Sequence, residues 1–168
     1  MNAPINVLPN ILAVIPQGKT EVVITVPITV QMFSCNALTL KLKYLSSVLQ
    51  AVKVTDPAYP DLYKAMIVQN THCTGTLQAG QVKFDDTRSI LSIVYSGVDL
   101  FTLPGTAILA TLYLHYYGGT TDLVWQTENY LGPDGHQQSG CAYAVGLPPV
   151  DMNDTPKSEY YVDGIVTS

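Results

Sequence analysis

The side chains best suited to chemistry in this 168-residue chain are three histidines, three cysteines and a few neighbouring carboxylates. His72, His115 and His136 stand far apart, and none lies in the HxH or HExxH spacing that places two imidazoles on one metal ion. His115 falls on the outward phase of a strand pattern, and His136 follows a Gly-Pro-Asp-Gly turn sequence. Both are therefore expected to be solvated, and the histidines predict no metal site.

The three cysteines, Cys35, Cys73 and Cys141, lack the CxxC spacing of a zinc site. Cys35 is expected to begin an apolar strand, which predicts a buried thiol. Cys73 and Cys141 lie in loops rich in Gly, Thr and Ser, where a disulfide could form in an exported protein. The sequence leaves open whether they pair, because spacing does not show how close two Cβ atoms come.

The carboxylates do not form a recognisable acid–base pair. Asp85 and Asp86 are adjacent between two strand patterns, which favours a solvated turn over the two separated carboxylates of a glycosidase. Residues 151–154 resemble a calcium loop in composition, but they lack the EF-hand spacing and its central Gly, so capping of loop amides is the preferred role. GxSxG, P-loop and GxGxxG motifs are also absent. We predict no catalytic residue, no metal and no cofactor on this chain.

The aromatic residues, with eleven Tyr and one Trp, raise the alternative of carbohydrate binding. A sugar-binding module needs a flat, exposed aromatic row. Trp125 is in phase with Leu123 and is expected in the core, which leaves Tyr113, Tyr117 and Tyr130 as the candidates for exposed rings.

Composition narrows the class of protein. Hydrophobic residues make up 47% and charged residues only 12%, with a net charge of −5. The absence of a basic stripe argues against nucleic-acid binding, and no apolar run approaches the ~20 residues of a membrane helix. Residues 1–4 do not begin a signal peptide. We therefore expect an excised domain with an added Met1, whose export signal lies outside this fragment.

The elements that must position any site are strands, because apolar residues recur with a period of two. Val22–Val30 and Leu38–Tyr44 alternate cleanly, and Pro27 indicates an edge or a bulge. Further strands are predicted at 49–55, 81–85, 89–96, 106–117 (the longest), 121–125 and 160–167, with a tight turn at Asp86-Thr87 and a short helical turn near 61–66. The pattern predicts an all-β sandwich in a single domain, 1–168.

Four segments together resemble the cohesin module of bacterial cellulosome scaffoldins. They are VVITVPITV at Val22–Val30, ALTLKLKYLSSVLQAVKV at Ala37–Val54, Ile90–Ser96 followed by Gly105 and ILATLYL, and the closing YYVDGIVTS. The chain departs from the family where Leu45 and Ser46 follow Tyr44, in place of Asp and Pro. It also has longer loops at 56–80 and 126–156, which indicates a divergent group.

The resemblance implies a nine-stranded jelly roll that binds a dockerin on one flat sheet, built from the third, fifth, sixth and eighth strands. Carried onto this chain by strand phase, the dockerin-binding residues are Ala37, Thr39, Lys41, Gln81, Lys83, Ile90, Ser92, Val94 and Ser96, with Asp122, Val124 and Leu131 at one side. Ala37, Ile90 and Val94 would form the apolar centre, and Lys41, Lys83 and Gln81 the rim. The alternative is that a loop of the same chain, residues 56–80, covers this patch.

We therefore expect a non-catalytic protein–protein interaction module for cellulosome assembly or cell-surface anchoring. Its partner would be the dockerin module of an enzyme or scaffoldin, with calcium on the dockerin. The domain is expected to be monomeric alone, extracellular or at the cell surface, and without membrane insertion. Two alternatives stay open: a jelly-roll carbohydrate-binding module and a structural or adhesin-like sandwich.

Overall fold

The computed structural model describes residues 6–59, 64–97, 99–145, 150–151 and 160–168. Within these ranges the chain forms strands joined by turns and contains no helix. The eighteen strands are β1 Asn6–Val7, β2 Asn10–Leu12, β3 Val22–Cys35, β4 Ala37–Leu45, β5 Leu49–Ala51, β6 Lys53–Val54, β7 Lys64–Ala65, β8 Ile67–Gln69, β9 Thr76–Lys83, β10 Arg88–Ser96, β11 Phe101–Tyr116, β12 Thr121–Trp125, β13 Tyr130–Leu131, β14 Gln137–Gln138, β15 Ala142–Val145, β16 Val150–Asp151, β17 Tyr161–Val162 and β18 Gly164–Thr167.

These strands form two large sheets and one small hairpin. The smaller sheet has the order β17-β1-β3-β11-β5, with β8 also paired to β11. The larger has the order β2-β18-β12-β4-β10-β9-β7-β6, with β15 also paired to β4 and β16 paired to β15, while β13 and β14 pair only with each other. One core cluster takes side chains from both sheets, as in a β-sandwich. The predicted all-β sandwich is confirmed, whereas the nine strands and the jelly-roll topology stay predictions.

The core of the smaller sheet follows the period of two. On β3, Val26, Ile28 and Val30 are fully buried, and β11 buries Leu112 and Leu114 against them. β11 is the longest strand, as predicted, although it begins at Phe101 instead of residue 106. The register between β11 and β3 shifts between Ile108 and Ala110, next to the position opposite Pro27. The expected irregularity at Pro27 thus lies in the neighbouring strand.

The larger sheet supplies the other half of the core. Leu40 and Leu42 of β4 and Leu91 and Ile93 of β10 are fully buried and lie opposite each other in the ladder. Burial of each such side chain contributes roughly 1.5–3 kcal/mol. Trp125 is also buried, as its phase predicts, and its indole N–H donates to the carbonyl of Asn6 at 3.1 Å.

Each terminal segment contributes one strand to each sheet. β1 and β17 lie in the smaller sheet, whereas β2 and β18 lie in the larger. The C-terminal segment crosses between sheets at Asp163, whose carboxylate accepts the backbone N–H of Trp125 at 2.9 Å. The next residue, Gly164, has no Cβ atom, and a Cβ there would overlap the carbonyl oxygen of Pro9. The predicted closing strand at 160–167 is therefore two short strands.

The turn between β9 and β10 is the solvated turn that the sequence predicts. The Asp85 carboxylate accepts the backbone N–H groups of Thr87 and Arg88 and the guanidinium of Arg88 at 2.6 Å. Asp86 pairs with Lys83 at 3.1 Å on the surface.

The predicted helical turn near 61–66 is not found where the chain is described. Lys64 and Ala65 form β7, and Ile67 begins β8. Pairing with β9 and β11 outweighs the weak local helical preference. Residues 61–63 lie outside the described ranges, as do 152–154 of the candidate calcium loop.

The three cysteines are buried thiols, so no disulfide joins Cys73 to Cys141. Cys35 ends β3 instead of beginning a strand, and burial raises the pKa of its thiol to about 12. Across the described ranges, no group of three or more His, Cys, Asp or Glu side chains is arranged to hold a metal ion. Those ranges also contain no helix of the length and hydropathy needed to cross a membrane.

Candidate functional site

The four strands that the resemblance assigns to a binding face are neighbours in the larger sheet, in the order β12-β4-β10-β9. Their register defines an outer face, turned away from the core. Thr39 lies opposite Val94, and Lys41 lies opposite Ser92. Because the alternating residues Leu40 and Ile93 are fully buried, these pairs point away from the core.

One half of this outer face is open, and we call it the open half: Ala37, Thr39, Gln78, Val82, Ser92, Val94, Ala142 and Ala144. Val94 is 42% exposed and Val82 is 56% exposed, which is high for aliphatic side chains in mid-sheet. β15 extends this half beyond β4, since Ala142 pairs with Thr39 and Ala144 with Ala37. The small side chains keep the surface flat, and the strands hold it rigid.

The other half is covered by a segment of the same chain, residues 126–141. This segment is fixed to the backbone of Lys41 at both ends. The N–H of Gln126 donates to the Lys41 carbonyl at 2.8 Å, and the N–H of Lys41 donates to Cys141 Sγ at 3.3 Å. Between these points β13 and β14 form a hairpin, which turns where Gly135 adopts a φ of +80°.

An aromatic and cationic cluster fills the space between the hairpin and the sheet. The rings of Phe84 and Tyr130 lie 5.2 Å apart between centroids. The Lys43 ammonium and the Arg88 guanidinium lie 4.7 Å and 4.9 Å from the centre of the Phe84 ring. Ile90, whose ladder neighbours on the outer face are Lys43 and Val82, is fully buried beside this cluster.

A groove of ≈ 460 Å³ runs between the hairpin and the sheet. Lys41, Val82 and Ser92 form its sheet side, and Tyr130, Asp134 and Gln138 form its hairpin side. Lys41 is only 9% exposed. Its ammonium donates to the Tyr130 hydroxyl over 3.5 Å, at the limit of a hydrogen bond. Burial lowers the pKa of Lys41 and raises that of Tyr130.

Two of the expected site residues are placed differently from the prediction. Gln81 faces the interior, because it lies opposite the buried Leu91. Its side-chain oxygen accepts the Tyr44 hydroxyl and the Ala51 N–H at 2.6 Å and 2.7 Å. Ile90 does have the outward phase, but the cluster and hairpin bury it, so it is not an exposed apolar centre. The chain does cover part of the face, through residues 126–141. The described residues of 56–80 do not cover it, because they form β7, β8 and the start of β9 within the sheets.

The remaining expected residues whose side chains are described fall into four places. Ala37, Thr39, Ser92 and Val94 lie together in the open half. Lys41 lies at the base of the groove, and the exposed Lys83 at its margin. Asp122 and Val124 of β12 line a smaller depression of ≈ 260 Å³, together with Lys43 and Arg88. Leu131, 67% exposed on the hairpin, stands apart from the open half. The side chain of Ser96 lies outside the described part of the chain.

Several residues at this face were not predicted, namely Gln78, Val82, Phe84, Ala142 and Ala144. The phase of β9 is hard to read, because polar Gln78 and Gln81 stand on opposite faces of the same strand. The turn sequence at 132–135 does indicate a hairpin in retrospect, but a local turn signal does not show where the hairpin packs.

No protein-family model matches the sequence, and no curated protein matches it. Solved structures do. A non-cellulosomal cohesin from the hyperthermophilic archaeon Archaeoglobus fulgidus is similar with a TM-score of 0.58 and 12% identity, over 98% of this chain and 90% of that one. A type II cohesin from the cellulosome of Acetivibrio cellulolyticus is similar with a TM-score of 0.51 and 14% identity, over 98% of this chain and 94% of that one. The seventh ScaB type I cohesin from Pseudobacteroides cellulosolvens is similar with a TM-score of 0.50 and 12% identity, over 96% of this chain and 89% of that one.

At this low identity the similarity establishes the fold alone. The role of each residue must be argued from its position and contacts in this structure. The similarity agrees with the two-sheet sandwich described above. The chain therefore has the cohesin fold.

Proposed function

We propose that this chain is a non-catalytic, cohesin-like interaction module, one domain over 1–168, which binds a dockerin through the outer face of its larger sheet. The observation that carries this proposal is the open half. It places exposed Val82 and Val94 among small side chains on paired strands. A flat apolar centre with polar neighbours is the usual anatomy of a protein interface.

The open half also suits binding energetically. Its side chains are Ala, Val, Thr, Ser and Gln, mostly short, and its central strand β10 is paired with β4 on one side and with β9 on the other. Little conformational entropy is lost when a partner docks on such a surface. The apolar side chains would supply most of the affinity, and the groove margin with Lys83 would orient the partner.

The partner in this proposal is the dockerin module of an enzyme or scaffoldin, in cellulosome assembly or cell-surface anchoring. Calcium belongs to the dockerin and not to this chain. The module works outside the cell or at its surface, and it is monomeric until its partner binds.

The aromatic side chains favour this function over sugar binding. Trp125 is buried in the core, and Tyr130, on the hairpin, packs against Phe84, directly after β9 of the sheet. Tyr113 and Tyr117 lie on the other sheet, where Tyr117 stacks with His115 at 6.2 Å. None of these four rings joins the open half.

Titration calorimetry against a panel of purified, calcium-loaded dockerin modules tests the proposal. We expect saturable binding to at least one of them, and no retention in gels that contain cellulose or xylan. A correctly folded domain that binds none of the dockerins would overturn it.

A further inference from the structure

The groove between the hairpin and the outer face contains a cation, Lys41, for which the described residues provide no counter-ion. Ion pairs of 2.9 Å and 3.1 Å hold Lys64 to Asp56 and Lys83 to Asp86. Lys41 differs, because among the described residues no carboxylate lies within 4 Å of its ammonium. Its neighbours are the Tyr130 hydroxyl at 3.5 Å and the Tyr130 ring at 5.7 Å.

The other charged groups at the groove are already engaged. Lys83, at the groove margin, pairs with Asp86, which is not one of the groove residues. Asp134, on the hairpin side, is 2.9 Å from His136 Nδ1 and accepts the His136 backbone N–H at 3.0 Å. These hydrogen bonds hold the Asp134 carboxylate against its own turn. They also lower its pKa, so the carboxylate stays ionised.

A buried ammonium without a carboxylate is costly, because desolvation is not offset by pairing. The hairpin that buries Lys41 also leaves a groove of ≈ 460 Å³ open beside it. This volume admits a carboxylate side chain, and the groove adjoins Val82 and Ser92 of the open half. A partner docked on the open half thus has a short path to the ammonium.

We propose that the groove receives an aspartate or glutamate side chain of the bound dockerin, and that this carboxylate forms an ion pair with Lys41. This inference rests on the proposed function. The charge-assisted hydrogen bond would complete the coordination of the ammonium. The hairpin then acts as a wall that fixes the partner's position, since only one side of the open half carries the groove. Apolar contact supplies affinity, and Lys41 selects for an acidic side chain at one place on the partner.

The test compares Lys41→Met with Lys43→Met, using the tightest-binding dockerin of the panel. Lys43 is a matched control on the same strand and face, and its ammonium already has Gln126 as an acceptor at 3.0 Å. We expect Lys41→Met to weaken binding about 10- to 100-fold and Lys43→Met by no more than about threefold. Binding to the wild-type protein should weaken with added salt more steeply than binding to Lys41→Met.

Thermal melts separate a binding role from a structural one. We expect Lys41→Met to melt at or above the wild-type temperature, because it removes a desolvated charge. A much lower melting temperature for both Lys41→Met and Lys41→Gln would make Lys41 structural and overturn the inference.

A double-mutant cycle identifies the partner group. Neutralising one acidic dockerin side chain (Asp→Asn or Glu→Gln) should weaken binding to the wild-type protein and have little further effect in Lys41→Met. If the wild type binds and Lys41→Met binds equally well, this inference fails and the proposed function stands. If the wild type binds no dockerin, the proposed function fails and the inference fails with it.

Discussion

Phe84, directly after β9, and Tyr130, at the start of β13, hold their rings 5.2 Å apart at an interplanar angle of 58°. This contact joins the hairpin to the sheet. The hairpin covers one half of the outer face, where Ile90 is buried, and leaves the open half around Val94 exposed.

Removing the Tyr130 ring should loosen the hairpin without unfolding the sandwich. We expect Tyr130→Ala to lower the free energy of unfolding by about 1–3 kcal/mol, through loss of ring contacts with Phe84 and Lys41. Leu131→Ala, one residue along and largely exposed, should change it by less than about 0.5 kcal/mol. Urea denaturation measures both, and equal losses would mean that the hairpin is not held by Tyr130.

Gln81 is expected to act on stability and not on partner binding. Gln81→Ala removes the acceptor of the Tyr44 hydroxyl and of the Ala51 N–H, and we expect a loss of about 1–3 kcal/mol. Gln78→Ala, on the outward phase of the same strand, should cost less than about 0.5 kcal/mol. If chemical denaturation showed the reverse order, Gln81 would face outward and Gln78 inward, which would contradict the phase of β9.

The turn at Asp85 should make stability depend on acidic pH. The Arg88 guanidinium and two backbone N–H groups hold the pKa of Asp85 far below its usual range. The folded pKa is thus below the unfolded value of about 3.9, so the stabilisation is present above that pH and is lost as pH falls toward the folded pKa.

Asp85→Asn isolates this contribution. Its melting temperature should lie below that of the wild type at neutral pH, and the difference should shrink only below about pH 4. Asp86→Asn is the matched control, because that neighbouring carboxylate makes a surface ion pair worth little. A wild-type advantage over Asp85→Asn that persisted unchanged into strong acid would contradict the assignment.

Much of the sandwich could be predicted because its central strands have unambiguous patterns. β3 and β4 alternate aliphatic residues with polar or small ones over most of their length, and this alternation determines which face meets the core. The same logic correctly placed Thr39 and Val94 on the outside and Trp125 on the inside.

The binding face was harder to predict for two physical reasons. Gln81 looks like a surface residue, and only the register of β9 against β10 reveals that it bonds Tyr44 inside the sandwich. Ile90 has the correct outward phase, but its burial depends on a hairpin distant in sequence. Such non-local packing leaves no periodic signal in the residues that it covers.

The most direct test of the binding face is calorimetric titration of Val94→Asp against the best dockerin, with Val68→Asp as the matched control. Val68 is 50% exposed on β8 of the other sheet, so it receives the same charge at similar exposure. We predict that Val94→Asp abolishes measurable binding, that Val68→Asp binds like the wild type, and that both melt within a few degrees of it. Undiminished binding by Val94→Asp, or an equal loss in Val68→Asp, would contradict a partner site on the open half.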